Sequence, residues 1–209
     1  IVLNDPINGY YGSGKANIGF KGDFVTSPSL SDDFSFLLSK QIENWAVEII
    51  DNLDSNKNLT VLELGPGDGS LIRGIIKYFS GKNREILKRL SFKLFELNIG
   101  MRSKQINLLK ECLENGIDIK WIDFNKFEEN SFDGIVIAHE VLDAFPVERI
   151  QYSNGILYQQ FVGLNQDKKL ILKKIPLTEK LRERIDFLKN KSNYSIPPSN
   201  APENWTNEV

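Results

Sequence analysis

The sequence lacks the residues that several common kinds of site require. Its 209 residues include one cysteine, Cys112, and one histidine, His139. A single cysteine excludes an intramolecular disulfide framework and a zinc site built from several thiolates, and it agrees with a reducing compartment. Because Cys112 falls within an amphipathic stretch, we expect it to pack as a small apolar residue.

An excess of one charge and a long apolar run are also missing. The chain has 26 Lys and Arg residues against 28 Asp and Glu residues, a net charge of -2. No basic field recruits nucleic acid or an anionic membrane. No apolar window reaches the roughly 20 residues that span a bilayer, and no signal peptide is recognisable at the start. We therefore expect a soluble protein without nucleic acid or membrane insertion, in a bacterial cytosol or alternatively a mitochondrial matrix.

Stretches with strand and helix character alternate along the chain. The strands are predicted at LTVLEL (59–64), SFKLFEL (91–97), GIDIKWI (116–122) and FDGIVIAHEVL (132–142), the last running into a helical turn. The helices are predicted at about 32–53, 70–79 and 102–113. This alternation predicts an α/β fold, a mainly parallel sheet with helices on both faces.

The length allows one domain with a packed core. We expect a loop and helix over 1–58 that cover the site, an α/β core over 59–150, and a last segment over 151–209. That segment is predicted as a hairpin turning at 153–155, a surface helix and an irregular tail. Because an open sheet of this class usually has about six strands, the predicted sheet looks incomplete at its C-terminal side.

The stretch VLELGPGDGS (61–70) joins the first strand to the next helix. Its glycines, Gly65, Gly67 and Gly69, alternate, so the spacing differs from the G-x-G-x-x-G of dinucleotide sites. Glycines let a backbone turn sharply and approach a ligand closely. Acids in the loop would repel a diphosphate but suit a sulfonium cation, so E-x-G-x-G-x-G favours S-adenosylmethionine. The candidate cofactor residues of this loop are Glu63, Gly65, Pro66, Gly67 and Gly69.

Two further acids follow the second and third predicted strands. Glu96 is placed to accept hydrogen bonds from both ribose hydroxyls, and Asp123 lies where the adenine edge is expected, with Phe124 able to pack on the base. Either acid alone is more often a solvated strand-end residue than a ligand contact. Their order on an α/β scaffold supports a nucleoside site.

Three segments, 9–39, 95–109 and 135–150, resemble the MidA-like methyltransferases, the family of the mitochondrial complex I assembly factor that methylates protein arginine. The first motif matches GYY, IG, GDF and TSP at Gly9, Tyr10, Tyr11, Ile18, Gly19, Gly22, Asp23, Phe24, Thr26, Ser27 and Pro28. The middle motif matches at Glu96, Arg102 and Gln105, and the third at Glu140, Asp143, Ala144 and Pro146. His139 stands where the family has asparagine.

The resemblance implies a Rossmann-like class I methyltransferase fold and SN2 transfer of a methyl group, without a metal, to an arginine of a partner protein, possibly a respiratory complex subunit. Glu140 and Asp143, spaced i, i+3, are expected on one face of a helical turn as guanidinium ligands, with either as the base and His139 beside them. Gly22, Asp23 and Ser27 are candidate cofactor contacts. Structural roles stay open: a helix cap for Asp143, an ion pair with Arg149 for Glu140, a turn for Asp23.

Two other functions stay open at this point. The chain could be a non-catalytic assembly factor on a methyltransferase fold, or a methyltransferase of small molecules. The family continues past the end of this sequence, so the activity of this chain alone is not decided by its motifs.

Overall fold

The computed structural model describes residues 3–54, 57–123, 125, 133–191 and 195–209. The chain divides into two compact units, Ile1–Ala144 and Phe145–Val209. The predicted single domain, with its segment boundaries at 58 and 150, stays a prediction. Within the described residues no helix has both the length and the apolar character needed to cross a membrane.

The first unit contains a parallel sheet and six helices among its described residues. The strands are β1 (Leu59–Leu64), β2 (Leu90–Phe95), β3 (Ile119–Trp121) and β4 (Gly134–Ile137). The helices are α1 (Ser27–Leu30), α2 (Asp32–Ile50), α3 (Ser70–Lys82), α4 (Arg84–Leu87), α5 (Ile99–Leu108) and α6 (Lys110–Glu114). The strand order is β3-β2-β1-β4, and every neighbouring pair is parallel.

Strand β1 lies inside the sheet and is covered on both faces. Its first five residues are all buried, and because successive side chains point to opposite faces, both faces must carry packed elements. The core joins the sheet to α2 and α3, with Ile42, Ile72, Phe79 and Phe92 fully buried. Helix α2 begins after Ser31, whose hydroxyl accepts a hydrogen bond from the amide of Asp33 at 3.2 Å. The predicted α/β fold is confirmed.

The segment after β4 differs from its prediction. No helical turn follows Ile137: residues 138–148 form bends, turns and chain without regular secondary structure. Glu140 has φ of +49°, in the left-handed region, and that conformation interrupts a right-handed helix. The expectation that Glu140 and Asp143 share one face of a helical turn is therefore wrong. Upstream, the loop predicted to precede the first helix contains the short α1, at whose start the Thr26 amide donates a hydrogen bond to the Ser29 hydroxyl at 3.0 Å.

The second unit is an antiparallel sheet with one helix among its described residues. Its elements are β5 (Arg149–Ser153), β6 (Ile156–Leu164), β7 (Leu170–Pro176), α7 (Glu179–Lys191) and β8 (Thr206–Glu208), in the strand order β7-β6-β5-β8. The predicted hairpin is confirmed: Asn154 and Gly155 have φ of +51° and +76°, as a two-residue type I′ turn requires.

The predicted surface helix is confirmed as α7, although it also buries Leu181 and Ile185 against Ile150 of β5. The tail is not irregular throughout, because β8 pairs with the free edge of β5, from Arg149↔Glu208 to Gln151↔Thr206. Strand β7 was not predicted. All seven of its residues are exposed, so it lacks the alternating burial that marks most strands.

Candidate active site

The strand order of the first unit has a topological switch point between β1 and β4. From β1 the chain proceeds to β2 and β3 on one side, and β4 lies on the other side of β1. In open α/β sheets, ligands bind outside the carboxyl ends of the strands at such a switch point. The loops after β1 and β4 meet there, because a Cβ atom on Gly65 would lie 2.7 Å from Cγ2 of Val141.

The glycine loop turns through the left-handed region at all three glycines. The φ angles of Gly65, Gly67 and Gly69 are +60°, +55° and +94°, and Gly69 is the N-cap of α3. Asp68 fixes the start of the helix: its Oδ1 accepts hydrogen bonds from the amide and hydroxyl of Ser70 at 2.9 and 2.6 Å. Pro66 is buried. The loop therefore presents backbone, with little side chain, at the switch point.

Glu63 precedes this loop and is 3% exposed. Its Oε2 atom is buried and has no hydrogen-bond partner among the described residues. Burial, and secondarily the negative charge of Asp68, raises the pKa of Glu63 to about 8. A buried polar group without a partner is costly, so this carboxyl group fits a ligand that brings a donor or a positive charge.

Glu96 follows β2 at the same edge of the sheet and is also buried. Its Oε1 accepts a hydrogen bond from the amide of Asn98 at 2.8 Å, and its Oε2 accepts one from Nε2 of Gln105 at 3.0 Å. The same Nε2 donates to the carbonyl oxygen of Gly67 at 2.8 Å. One side chain therefore connects the glycine loop to the acid of the next strand.

Gln105 was not predicted as a site residue, although it belongs to the middle motif of the resemblance. The sequence does hold a signal for it: Met101, Gln105 and Leu109 recur at every fourth position, and all three are buried. A glutamine at a core position of a helix needs polar partners there, and these come from the loops after β1 and β2 and from the last residue of β3.

Of the two predicted adenine contacts after β3, the structure describes only Asp123. Asp123 follows β3 and is exposed, and its Oδ1 accepts a hydrogen bond from the amide of Asn125 at 3.1 Å. Phe124, predicted to pack on the adenine, lies outside the described residues. The adenine contacts stay a prediction.

The N-terminal segment, residues 3–24, packs on the glycine loop and on α5. A Cβ atom on Gly67 would lie 3.2 Å from Cδ1 of Ile18, and one on Gly100 would lie 2.2 Å from the amide nitrogen of Gly14. The ammonium group of Lys104 donates a hydrogen bond to the carbonyl of Ala16. These contacts bring the segment to the predicted cofactor loop.

The predicted residues within this segment have local partners. Asp23 is exposed, and its Oδ2 accepts a hydrogen bond from the hydroxyl of Tyr10 at 2.5 Å. Gly22 lies against backbone: a Cβ atom there would be 2.1 Å from the carbonyl oxygen of Asn17. Ser27 is half-buried and begins α1. The present side-chain contact of Asp23 is thus with Tyr10 and not with its own turn, and Gly22 has a packing role.

The loop after β4 holds the three predicted catalytic residues. Nε2 of His139 lies 3.8 Å from Oε1 of Glu140, and the His139 ring packs on Phe34 with centroids 5.0 Å apart. Glu140 and Asp143 are both exposed. Burial and, after it, the negative charge of Asp143 raise the pKa of Tyr11, so the N-terminal segment is near this loop as well.

Comparison with known proteins identifies the family. Residues 41–209 match the model of the family described as "Putative S-adenosyl-L-methionine-dependent methyltransferase". The chain belongs to this family. Among curated relatives, the protein arginine methyltransferase NDUFAF7, mitochondrial, is 31% identical in Bos taurus over 170 residues, 72% of this chain and 37% of that protein. The Homo sapiens protein of the same name is 30% identical over 183 residues, 78% of this chain and 40% of that protein.

The chain thus spans well under half the length of these relatives. Among solved structures, a superfamily member from Burkholderia thailandensis bound to S-adenosyl-homocysteine covers all of this chain at a TM-score of 0.72 and 22% identity. This chain matches 49% of that protein. The likeness establishes the fold. The predictions of the methyltransferase family and of S-adenosyl-L-methionine as the family's cofactor are confirmed.

The first unit offers a methyltransferase-family cofactor two features that fit it. The unpartnered Oε2 of Glu63 can accept a hydrogen bond from a ligand beside the glycine loop, and Gly65 and Gly67 hold positive φ angles without side chains of their own. Among the described residues, no group of three or more His, Cys, Asp or Glu side chains could hold a metal ion.

Proposed function

We propose that this chain binds S-adenosyl-L-methionine at the carboxyl edge of β1 and β2. The observation that carries the proposal is the left-handed glycine loop at the switch point, with the buried and unpartnered Oε2 of Glu63 beside it. The family description and the E-x-G-x-G-x-G spacing support it.

Each half of the cofactor has a proposed set of partners. Gly65, Gly67 and Gly69 bring their backbone against the methionine part, and Glu63 accepts its donors. Glu96 accepts hydrogen bonds from the ribose hydroxyls, because each of its carboxylate oxygens uses one lone pair within the protein and retains another. Asp123 is proposed to contact the adenine, and Phe124, predicted to pack on the base, lies outside the described residues. Asp23, released from Tyr10, and Ser27 are proposed as contacts from the N-terminal side.

We further propose that the methyl acceptor is an arginine of a partner protein. The relatives are named protein arginine methyltransferases, and the exposed carboxylates of Glu140 and Asp143 suit a guanidinium group presented by another chain. Their exposure favours a macromolecular acceptor over a small molecule in a closed pocket. The resemblance points to a respiratory complex subunit, and the word "mitochondrial" in the relatives' names supports a mitochondrial location over a bacterial cytosol.

In this proposal the acidic residues orient the arginine and remove its proton. When bound, S-adenosyl-L-methionine would supply an electrophilic methyl group: a guanidinium nitrogen would form the N–C bond as the methyl–sulfur bond breaks, with S-adenosyl-homocysteine as the leaving group. The nitrogen loses a proton as the bond forms, and Glu140 or Asp143 accepts it. His139, whose Nε2 lies 3.8 Å from Oε1 of Glu140, is proposed to accept the proton from that carboxyl group and to release it to solvent.

The first test is calorimetric titration of S-adenosyl-L-methionine into the 209-residue chain. We expect micromolar binding that Gly67→Val abolishes, because a branched side chain at φ of +55° is strained and would collide with Ile18. Circular dichroism confirms that each variant is folded. No binding by the folded wild-type chain would contradict the proposed cofactor site.

Transfer is then measured with cofactor labelled on the methyl group and arginine-containing peptides from a respiratory complex subunit. We expect wild type to transfer the label to arginine. Loss of this transfer in Glu140→Gln and Asp143→Asn, with cofactor binding unchanged, would support the acceptor proposal. Cofactor binding without transfer to any protein would favour a non-catalytic binding role.

A further inference from the structure

Gln105 joins three strand ends through one amide group. Its side chain is fully buried, and it hydrogen-bonds to the glycine loop after β1, to Glu96 after β2 and to Trp121 at the end of β3. Building on the proposed cofactor site, we propose that Gln105 is a positioning residue that fixes the Glu96 carboxylate relative to the glycine loop and so couples the ribose and methionine halves of the site.

The orientation of this amide is determined by its partners. The indole N–H of Trp121 can only donate, and it donates to Oε1 of Gln105 at 2.8 Å. The carbonyl of Gly67 and the carboxylate of Glu96 are hydrogen-bond acceptors, and both accept from Nε2 of Gln105. A flipped amide would break all three bonds, so Gln105 has one orientation.

Glu96 depends on Gln105 for its direction. The amide of Asn98 holds Oε1 and Gln105 holds Oε2, so the carboxylate plane is fixed at both oxygens. The guanidinium group of Arg102 donates to the Glu96 backbone carbonyl at 3.2 Å and thereby holds the main chain of the same residue. Without Gln105, one oxygen would lose its fixed partner and the carboxylate would rotate.

The glycine loop depends on the same atom. Nε2 of Gln105 holds the carbonyl of Gly67, and the Cα and Cγ of Gln105 lie 3.6 Å from the position of a Cβ atom on Gly69. The loop and the acid therefore move together. A ligand that contacts both the glycine loop and Glu96 requires a fixed distance between them, and the hydrogen bonds of Gln105 set that distance.

Two substitutions separate this role from simple packing. Gln105→Leu keeps much of the volume but leaves the Gly67 carbonyl, a Glu96 oxygen and the Trp121 N–H without a partner. Gln105→Glu keeps the size and an acceptor for Trp121, but it places a second carboxylate against Glu96. We expect each to weaken the binding of S-adenosyl-homocysteine at least tenfold.

A double-substitution cycle tests the coupling directly. S-adenosyl-homocysteine is titrated calorimetrically into wild type, Gln105→Leu, Glu96→Gln and the double variant. If Gln105 acts through Glu96 as well as through the glycine loop, the loss of affinity in the double variant is smaller than the sum of the two single losses. Additive losses would mean that Gln105 only supports the fold, and they would overturn the proposal.

A spectroscopic measurement on the wild-type protein keeps the proposal testable even if the variants do not fold. The chain has three tryptophans, so Trp45→Phe and Trp205→Phe identify the Trp121 indole N–H signal in a ¹⁵N correlation spectrum. Hydrogen bonds from the ribose to Glu96 should shift that signal through Gln105. An unshifted Trp121 signal at saturating S-adenosyl-homocysteine would refute the coupling.

The matched control is Asn107→Leu, an exposed position on the same helix, which should bind S-adenosyl-homocysteine like wild type. Failure of the two proposals is distinguishable. Absence of binding by the wild-type chain overturns the proposed cofactor site and this inference with it. Tight binding by wild type and equally by Gln105→Leu and Gln105→Glu overturns only the inference.

Discussion

Gly14 and Gly100 touch through their backbones, with no room for a side chain between them. A Cβ atom on Gly100 would lie 2.2 Å from the nitrogen and 2.5 Å from the Cα of Gly14. Real Cβ atoms do not approach backbone so closely, and neither atom of Gly14 belongs to a flexible side chain. This contact seats the N-terminal segment on the first turn of α5.

Gly100→Ala should therefore release the N-terminal segment while α5 persists. We expect trypsin to cleave after the exposed Lys15 and Lys21 at least several-fold faster in the variant, as followed by mass spectrometry. Gly81→Ala is the control, because no heavy atom from another part of the described chain lies within 4 Å of a Cβ atom there. That helical substitution should stabilise the protein by up to about 1 kcal/mol. Equal cleavage of Gly100→Ala and wild type would contradict the seating.

Glu63 should give the ligand-free protein a pH-dependent stability. The folded-state pKa of about 8 lies above the ordinary 4.5, so between these values the folded chain binds a proton that the unfolded chain has lost. The free energy of unfolding then falls as pH rises through this window, by up to about 1.4 kcal/mol per pH unit. Glu63→Gln should flatten the decline, as measured by urea unfolding between pH 5 and 8.

Glu43→Gln is the matched control for the Glu63 measurement. Hydrogen bonds from Tyr78 and Asn83 lower the pKa of Glu43, so its titration lies below the tested range. That variant should keep the wild-type slope above pH 5. A Glu63→Gln slope as steep as that of wild type would rule out Glu63 as its source.

The left-handed backbone conformation of Glu140 should lower the free energy of unfolding, and a glycine at this position should remove that cost. An L-residue in the left-handed region is disfavoured by roughly 1–2 kcal/mol, and Glu140 has φ of +49°. We expect Glu140→Gly to be more stable than Glu140→Ala by about 1 kcal/mol in urea unfolding, although both lose the carboxylate. The same pair at the exposed loop residue Lys57, where φ is not positive, should give the opposite order. Equal stability of the two Glu140 variants would indicate that the loop relaxes to an unstrained conformation.

The sequence predicted the first unit's sheet because its signals are local. Strand β1 is an apolar run that ends in alternating glycines, and a chain with that pattern has few other ways to fold. The same apolar runs predicted that Glu63 and Glu96 lie at strand ends. Both positions follow from strand boundaries that apolar residues define within a few positions.

The missed features depend on partners far along the chain. Gln105 has a polar side chain at a core position, and only Gly67, Glu96 and Trp121 explain it. The left-handed conformation of Glu140 could not be inferred, because glutamate carries no preference for it. Strand β8 is short and polar, and it forms because β5 has a free edge. Tertiary context decides such cases.

Strand β7 bears on how the protein behaves at high concentration. It is an edge strand with all seven residues exposed, and such an edge can template pairing between molecules. Lys173 and Lys174 are adjacent at its middle, so one charge lies on each face of the sheet. Antiparallel pairing of two β7 edges would bring these lysines together, and their repulsion opposes fibre-like association. Since salt screens exposed charges, this protection against aggregation weakens as ionic strength rises.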